Sequence, residues 1–227
     1  MNKNESHFLD SRVIIMSTIL TSSVFGGYKF YTRFLRPIQK ATDIPTGHFY
    51  KRSLLGKVTS VGDGDNFHFF HTPGGIIGGW NWLRFPPKTN QRNLKNKTLH
   101  IRLCGVDAPE RAHFGKPAQP YSDEALGWLR SFILGRRIRV KPLSIDQYGR
   151  VVGKATIWTL FGRKNVSLEM IKNGVGIVYE GKASAEFDGD EMIFREEEKK
   201  AKKSRKGLWA SGKKLQTPGE FKKQHRT

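Results

Sequence analysis

The chain is poor in several things, and each shortage removes a class of explanation. It has one cysteine, Cys104, so no intrachain disulfide can form. Cys104 lies in an apolar run with no base beside it, which fits a small core residue better than a catalytic thiol. Acidic residues number 20 against 40 Lys and Arg, a formal net charge of +20. A charge of that size repels itself in a compact state and is best understood with a polyanionic partner. Nucleic acid and anionic lipid surfaces both qualify, and charge alone does not choose between them. No internal repeat is evident. Only one stretch is long and apolar, and no Ala-x-Ala-like cleavage site follows it.

That stretch runs uncharged from Val13 to Tyr28 and reaches spanning length when extended to Tyr31, with Lys29 able to snorkel and Tyr28 and Tyr31 at the interface. It is expected to be an uncleaved transmembrane anchor at residues 13–31. A cleaved signal and a buried soluble helix are the alternatives. Lys29, Arg33, Arg36 and Lys40 follow it, while Lys3 and Arg12 precede it among Glu5 and Asp10. The positive-inside rule weakly keeps the C-terminal side untranslocated. The early acids argue against a cleavable mitochondrial transit peptide.

The 227 residues suffice for one domain with appendages. After an N-terminal flank (1–12) and the anchor comes a linker at 32–48, containing Pro37, Pro45 and Gly47. A domain follows at 49–210, then a basic, disordered tail at 211–227. β-Branched and aromatic content predicts strands near 53–61, 65–70, 98–106, 137–144 and 150–159. Helices are predicted near 121–134, 165–173 and 189–206. The first of these carries Ala125, Leu126, Leu129, Phe132 and Ile133 at helical spacing, a core stripe. In the last, Glu196 to Lys200 and Glu198 to Lys202 are spaced as favourable i,i+4 pairs, so its charge run reads as a solvated helix face. Five strands with a helix between the third and fourth give an α+β fold, a five-stranded OB-type Greek-key barrel with helical additions. An irregular insertion at about 71–97 interrupts it. Trp80 and Trp82 there, beside Arg84, Lys88, Arg92, Lys95 and Lys97, either stack on bases or pin the loop to the barrel.

Three short stretches carry chemistry. In Asp63-Gly64-Asp65-Asn66, Gly64 is read as permitting a tight turn that sets two carboxylates at the start of a strand, hard ligands for calcium or magnesium. The spacing is not that of an EF-hand. In Arg102-Leu103-Cys104-Gly105-Val106-Asp107-Ala108-Pro109-Glu110, strand alternation turns Leu99, Ile101 and Leu103 inward and Arg102 outward. Asp107 falls at the strand end, and Pro109 fixes the approach to Glu110. Asp146-Gln147-Tyr148-Gly149-Arg150 reads as a hairpin turn ending on a second arginine. Phosphodiester hydrolysis needs a base for water, cations for the charged phosphoryl group and a metal to polarise it. An arginine's planar fork suits phosphate oxygens.

Together and in this order the stretches resemble the active-site motifs of the staphylococcal nuclease (thermonuclease) family, over about Phe49 to Trp209. The resemblance implies a calcium-dependent endonuclease acting on DNA or RNA. It places metal ligands at Asp65 and Asp107, the general base at Glu110 and phosphate-binding arginines at Arg102 and Arg150. Ala108 stands where the family has Thr, a position that ligates through its carbonyl. Asn66 also replaces Thr, Gln147 replaces Lys, and the family's base-stacking tyrosines lie near Tyr179. The anchor, the Gly/Trp-rich insertion and Gly115-Lys116-Pro117-Ala118-Gln119-Pro120 resemble the fungal membrane-anchored probable endonucleases associated with mitochondria, which implies a single-pass mitochondrial membrane location. No protein partner is called for. Two other readings stay open: an OB module that binds nucleic acid without cutting it, and a membrane-surface tether with no use for Glu110. Intact carboxylates and arginines favour the nuclease.

Overall fold

The computed structural model describes residues 10–89, 91, 94, 96–112, 117–181, 186–210 and 216–224. Lys3, Glu5, Arg92, Lys95, Gly115, Lys116, Lys213, Lys214 and Arg226, named above, lie outside the described residues, as do the side chains of Lys222 and Lys223. The chain divides into two compact units, 1–36 and 37–227.

The first unit is the helix α1 (Ser11–Phe30), continued by a π-helical turn at Tyr31–Leu35. Asp10 caps it by accepting the Arg12 N–H. Ser17 and Thr18 return their hydroxyls to the Ile14 carbonyl, so these polar groups are satisfied within the helix. None of its residues is buried, and the 25 residues from Ser11 to Leu35 are long and apolar enough to cross a bilayer.

The second unit is built on β1 (Leu54–Asp63), β2 (Asn66–His71), β3 (Leu99–Leu103), β4 (Val106–Asp107), β5 (Arg137–Ile145), β6 (Val151–Thr159), β7 (Gly162–Asn165) and β8 (Ile177–Val178). Its helices are α2 (Ser122–Ile133), α3 (Val166–Lys172), α4 (Glu191–Lys203) and α5 (Pro218–Gln224). The main sheet runs β3-β2-β1-β5-β6-β7, and a parallel pairing of β3 with β6 closes its first five strands on themselves. β4 and β8 form a separate antiparallel pair. Inside the barrel lie Val58, Phe67, Phe69, Ile101, Val140, Ala155 and Ile157, each at most 1 % exposed. α2 covers one side with Ala125, Leu126, Leu129 and Ile133, the stripe its spacing predicts.

Several elements depart from the sequence reading. The strand expected at 98–106 stops at Leu103 because Gly105 takes φ +68 in a tight turn. Any side chain there would also meet the Phe194 and Phe187 rings at 2.6 and 2.7 Å. Residues of the expected linker join the core: Ile44 is buried, and Ile38 and Ala41 pack against it. The expected tail contributes α5, whose Phe221 is buried. On α4, Lys200 pairs with Glu197 rather than Glu196, while Lys202 pairs with Glu198 as its spacing suggests. Glu198 also accepts the Val178 N–H, so this charged helix holds β8. The core residues run from Ile38 to Phe194, so residues 37–227 carry a hydrophobic core of their own.

Candidate active site

The site forms where the β1–β2 turn, the end of β3 and the loop after β4 converge. β3 buries Leu99, Ile101 and Leu103 and sends His100 and Arg102 to the outer face. Asp65 closes the turn before β2, with its carbonyl taking the Leu103 N–H at 2.9 Å. Asp107 ends β4, fixed by pairing with Ile177. Arg102 meets both carboxylates, Nε to Asp65 Oδ2 at 3.4 Å and Nη2 to Asp107 Oδ1 at 3.5 Å. Burial opposes its charge, but Asp65 and then Asp107 outweigh that and raise its pKa. The two carboxylates are themselves buried, at 8 % and 5 % exposure. Contacts of 3.4–3.5 Å exceed the usual 2.7–2.9 Å of a charge-assisted bond. The guanidinium therefore offsets one of the two negative charges and leaves the pair a net −1.

Gly64 has a different role from the one its turn suggests. It has no positive φ; what it supplies is closeness, since a Cβ there would lie 2.6 Å from Ala108 Cβ and 3.3 Å from Ala125 Cβ. The loop bearing Asp107 and Glu110 rests directly on the turn bearing Asp63 and Asp65. Asp63 feels that crowding: burial, then the charges of Asp65 and Glu110, push its pKa up, against the bond it accepts from the Gly64 N–H.

Glu110 is placed by a residue the sequence reading did not single out for the site. Its N–H donates to Gln119 Oε1 at 3.1 Å, and its carbonyl accepts the Gln119 N–H at 2.8 Å. Gln119 is buried and spends its Nε2 on the Gln216 carbonyl, at 2.6 Å, which ties the C-terminal segment to the Glu110 loop. A polar side chain between Ala118 and Pro120 was the only local signal.

The β3–β6 pairing, which sets Ile101 against Val151, brings Arg150 to the outer face at the level of His100, whose pKa is lowered by burial with help from the Arg150 charge. Arg150 does not touch the carboxylate pair. Its Nε sits 2.7 Å from Asp146 Oδ2, and its own N–H closes the turn on Asp146 Oδ1. Hydrogen bonds and the charge of Arg150 overcome burial and lower the Asp146 pKa. Tyr148 lies under the Arg150 guanidinium at 5.3 Å. Tyr179 packs on Arg102 at 4.8 Å, delivered by the β4–β8 pair and its N–H bond to Gly105.

Farther along the same outer face, His100 Nε2 lies 3.2 Å from Asn66 Oδ1, and Asn66 donates to Asp65 Oδ1 at 3.2 Å. The His100 and His68 rings stack at 4.7 Å. Burial pushes both pKa values down, His100 to about 4, so both rings are neutral at physiological pH. Beyond them opens a recess of about 520 Å³ reaching Lys40, Ser60 and Gly149. Among the described residues no three His, Cys, Asp or Glu side chains cluster as a metal site. Asp65 and Asp107 are candidate donors, and with a backbone carbonyl and water they would make an all-oxygen set that suits a hard cation such as calcium better than zinc.

Comparison with known proteins identifies the family. The staphylococcal nuclease homologue family matches residues 100–211. Proteins named Probable endonuclease LCL3 are similar along nearly the whole chain. That of Debaryomyces hansenii is 54 % identical over 215 residues, covering 94 % of this chain and 91 % of that protein. That of Candida dubliniensis is 56 % identical over 215 residues, 94 % and 91 % of the two chains. That of Komagataella phaffii is 55 % identical over 213 residues, 93 % of each. With its barrel, its Asp-Arg-Asp cluster and this degree of identity, the chain belongs to the staphylococcal nuclease homologue family.

Proposed function

We propose that the protein is a calcium-dependent endonuclease that hydrolyses phosphodiester bonds of DNA or RNA and is held to a membrane by α1. The observation that supports it best is Arg102 poised between Asp65 and Asp107 on a rim that Glu110 and Arg150 share. Calcium, held by Asp65 and Asp107 with the Ala108 carbonyl, would polarise the scissile phosphate.

The protein's own groups supply the rest. Glu110, held through its backbone by Gln119, takes the proton of the attacking water. Arg102 and Arg150 bind the phosphate oxygens and stabilise the added charge of the five-coordinate state. Both must exchange a carboxylate partner for phosphate, Arg102 from Asp65 and Asp107, Arg150 from Asp146. Such exchange keeps each guanidinium oriented before substrate arrives and lowers the cost of ordering it afterwards. Tyr148 and Tyr179, lying on the two arginines, offer faces on which bases beside the cleaved phosphate stack.

The test is single-turnover cleavage of a labelled oligonucleotide by residues 37–227, with calcium or with chelator, beside Glu110→Gln. Calcium should support cleavage and chelator should stop it. Glu110→Gln should lose about 10²–10⁴ in rate with binding nearly intact. A parent that binds but never cuts with calcium present would make the protein a nucleic-acid-binding module instead. Chain topology is tested separately: full-length protein should resist extraction from membranes by alkaline carbonate.

A further inference from the structure

The insertion between β2 and β3 spends much of its sequence on holding apolar side chains in water. Ile76, Ile77, Trp82, Leu83 and Phe85 are 62, 97, 64, 68 and 72 % exposed. Five large apolar groups within ten residues exceed the scattered exposure of an ordinary surface. They are not the product of a loose loop. Trp80 is buried, donates its indole N–H to the Pro73 carbonyl and meets Phe70 edge-on at 5.5 Å. The Arg84 guanidinium lies 4.1 Å over its ring, and Trp80, Leu83 and Arg84 return backbone N–H groups to Gly75 and Gly79. Trp82 donates its N–H to the Ile76 carbonyl at 2.9 Å. Its polar atom is therefore satisfied within the loop, and the ring can enter an apolar medium without stranding a donor.

Three observations identify that medium. First, no Asp or Glu occurs between Asn66 and Val106, while Arg84, Lys88, Arg92, Lys95 and Lys97 do, so the apolar ridge is set in an all-cationic segment. Apolar and aromatic tips with a basic surround suit an anionic lipid surface. Second, the insertion is tied to the first residues of the compact domain, which begins at Pro37. The Ile38 N–H donates to His71 Nδ1, at the root of the insertion. Third, the insertion leans on Leu55, Lys57 and Gly135, at β1 and the start of β5. In the closed barrel β3, which carries Arg102, is hydrogen-bonded to β2 and β6. β2 begins and β3 ends at the candidate active site, whereas the insertion leaves β2 at His71 and enters β3 at Leu99, so it springs from the opposite end of these two strands. A second exposed apolar tip, Leu160 and Phe161, follows Trp158, whose carbonyl accepts from Arg136.

From these features we infer that the ridge Ile76-Ile77-Trp82-Leu83-Phe85 is a membrane-docking surface. It inserts between lipid headgroups and lays the domain on the bilayer with the catalytic rim facing solution. This goes beyond the anchor and does not require α1 to span. It also assigns the loop's aromatics to lipid rather than to bases.

The test uses residues 37–227, which hold their own core, floated with vesicles of phosphatidylcholine and phosphatidylserine. The parent should bind, and should keep most of that binding in about 0.5 M salt, where charges are screened beyond about 4–5 Å. Ile77→Asp with Trp82→Ser should weaken it by about 30-fold. Ile77→Ser alone, at a nearly fully exposed position, should weaken it less while leaving the fold untouched. Cleavage of a short oligonucleotide in solution should not change in either variant, nor should the thermal midpoint of Ile77→Ser, so a failed nuclease reading shows itself separately. A parent that does not float overturns the proposal. So does binding that both variants retain, or that high salt abolishes, since net charge alone would then explain it. If the variants lose oligonucleotide binding and keep vesicle binding, the ridge serves nucleic acid and the proposal falls.

Discussion

Consider Gly64→Ala. The added methyl would lie 2.6 Å from Ala108 Cβ and 3.3 Å from Ala125 Cβ, where carbon atoms rest at about 3.5–4.0 Å. About 1 Å must be found. Ala125 is fully buried on α2, so the yielding partner is Ala108, between Asp107 and Glu110. Overpacking of this kind costs about 1–3 kcal/mol, which for a domain of this size lowers the melting temperature by about 2–12 °C. Even the full 3 kcal/mol leaves about 2 kcal/mol in a protein of minimal stability, enough to keep about 97 % folded at 25 °C. Catalysis should suffer much more, since about 1 Å of misplacement costs about 10² in rate. The assay pairs thermal unfolding with single-turnover cleavage in saturating calcium. Gly62→Ala is the control, because a Cβ there meets only Asn66 Oδ1 at an ordinary 3.5 Å. Moving the methyl, with Gly64→Ala and Ala108→Gly together, should recover most of the rate. If Gly64→Ala cleaves like the parent, the two turns are not coupled through this contact and the account of Gly64 is wrong.

Other outcomes follow from the same geometry. Burial holds the His71 pKa near 4 against an ordinary 6.5, so unfolding takes up a proton between those values and stability present above pH 6.5 is lost as pH falls toward 4. That loss is on the order of 3 kcal/mol by urea unfolding. His71→Asn, which keeps an acceptor for the Ile38 N–H, should flatten the slope but not abolish it, because His100 titrates the same way. Arg102→Ala and Arg150→Ala should each cost about 10²–10³ in single-turnover rate and some affinity, with Lys a poor rescue, and equal rates for Lys and Arg would count against bidentate phosphate binding. Gln119→Ala should lower turnover at saturating substrate while leaving oligonucleotide affinity within about twofold, since it acts on the Glu110 backbone and not on phosphate.

What could be read from the sequence was local. Arg102 faces outward because strand parity requires it once Leu99, Ile101 and Leu103 are assigned to the core. Asp65 and Asp107 were legible because each ends or begins a strand. The partners that hold the site were not, because they arrive from far along the chain. Gln119 bonds a carbonyl 97 positions away, and Tyr179 reaches Arg102 only through the two-residue ladder of β4 with β8. Gly64 was assigned to the right place for the wrong reason, since a glycine needed for closeness and one needed for a turn look alike in sequence. The segment after residue 210 read as charge alone, and Phe221 gives it an apolar foothold. Asp146 was quoted as part of a turn, and its ion pair with Arg150 emerges only once the turn is built.

The parallel seam of β3 against β6 has a consequence for the cell that harbours such a protein. Val151 follows Ile101 by some fifty positions, and the closed seam brings the strand that Arg150 leads against the strand that carries Arg102. A nascent chain, a chain being threaded through a membrane, or one whose barrel has parted at that seam carries every residue of the site and lacks the site itself. Its hazard to nucleic acid is therefore governed by the count of completely folded molecules. Whatever parts the seam separates the strand that Arg150 leads from the strand that carries Arg102.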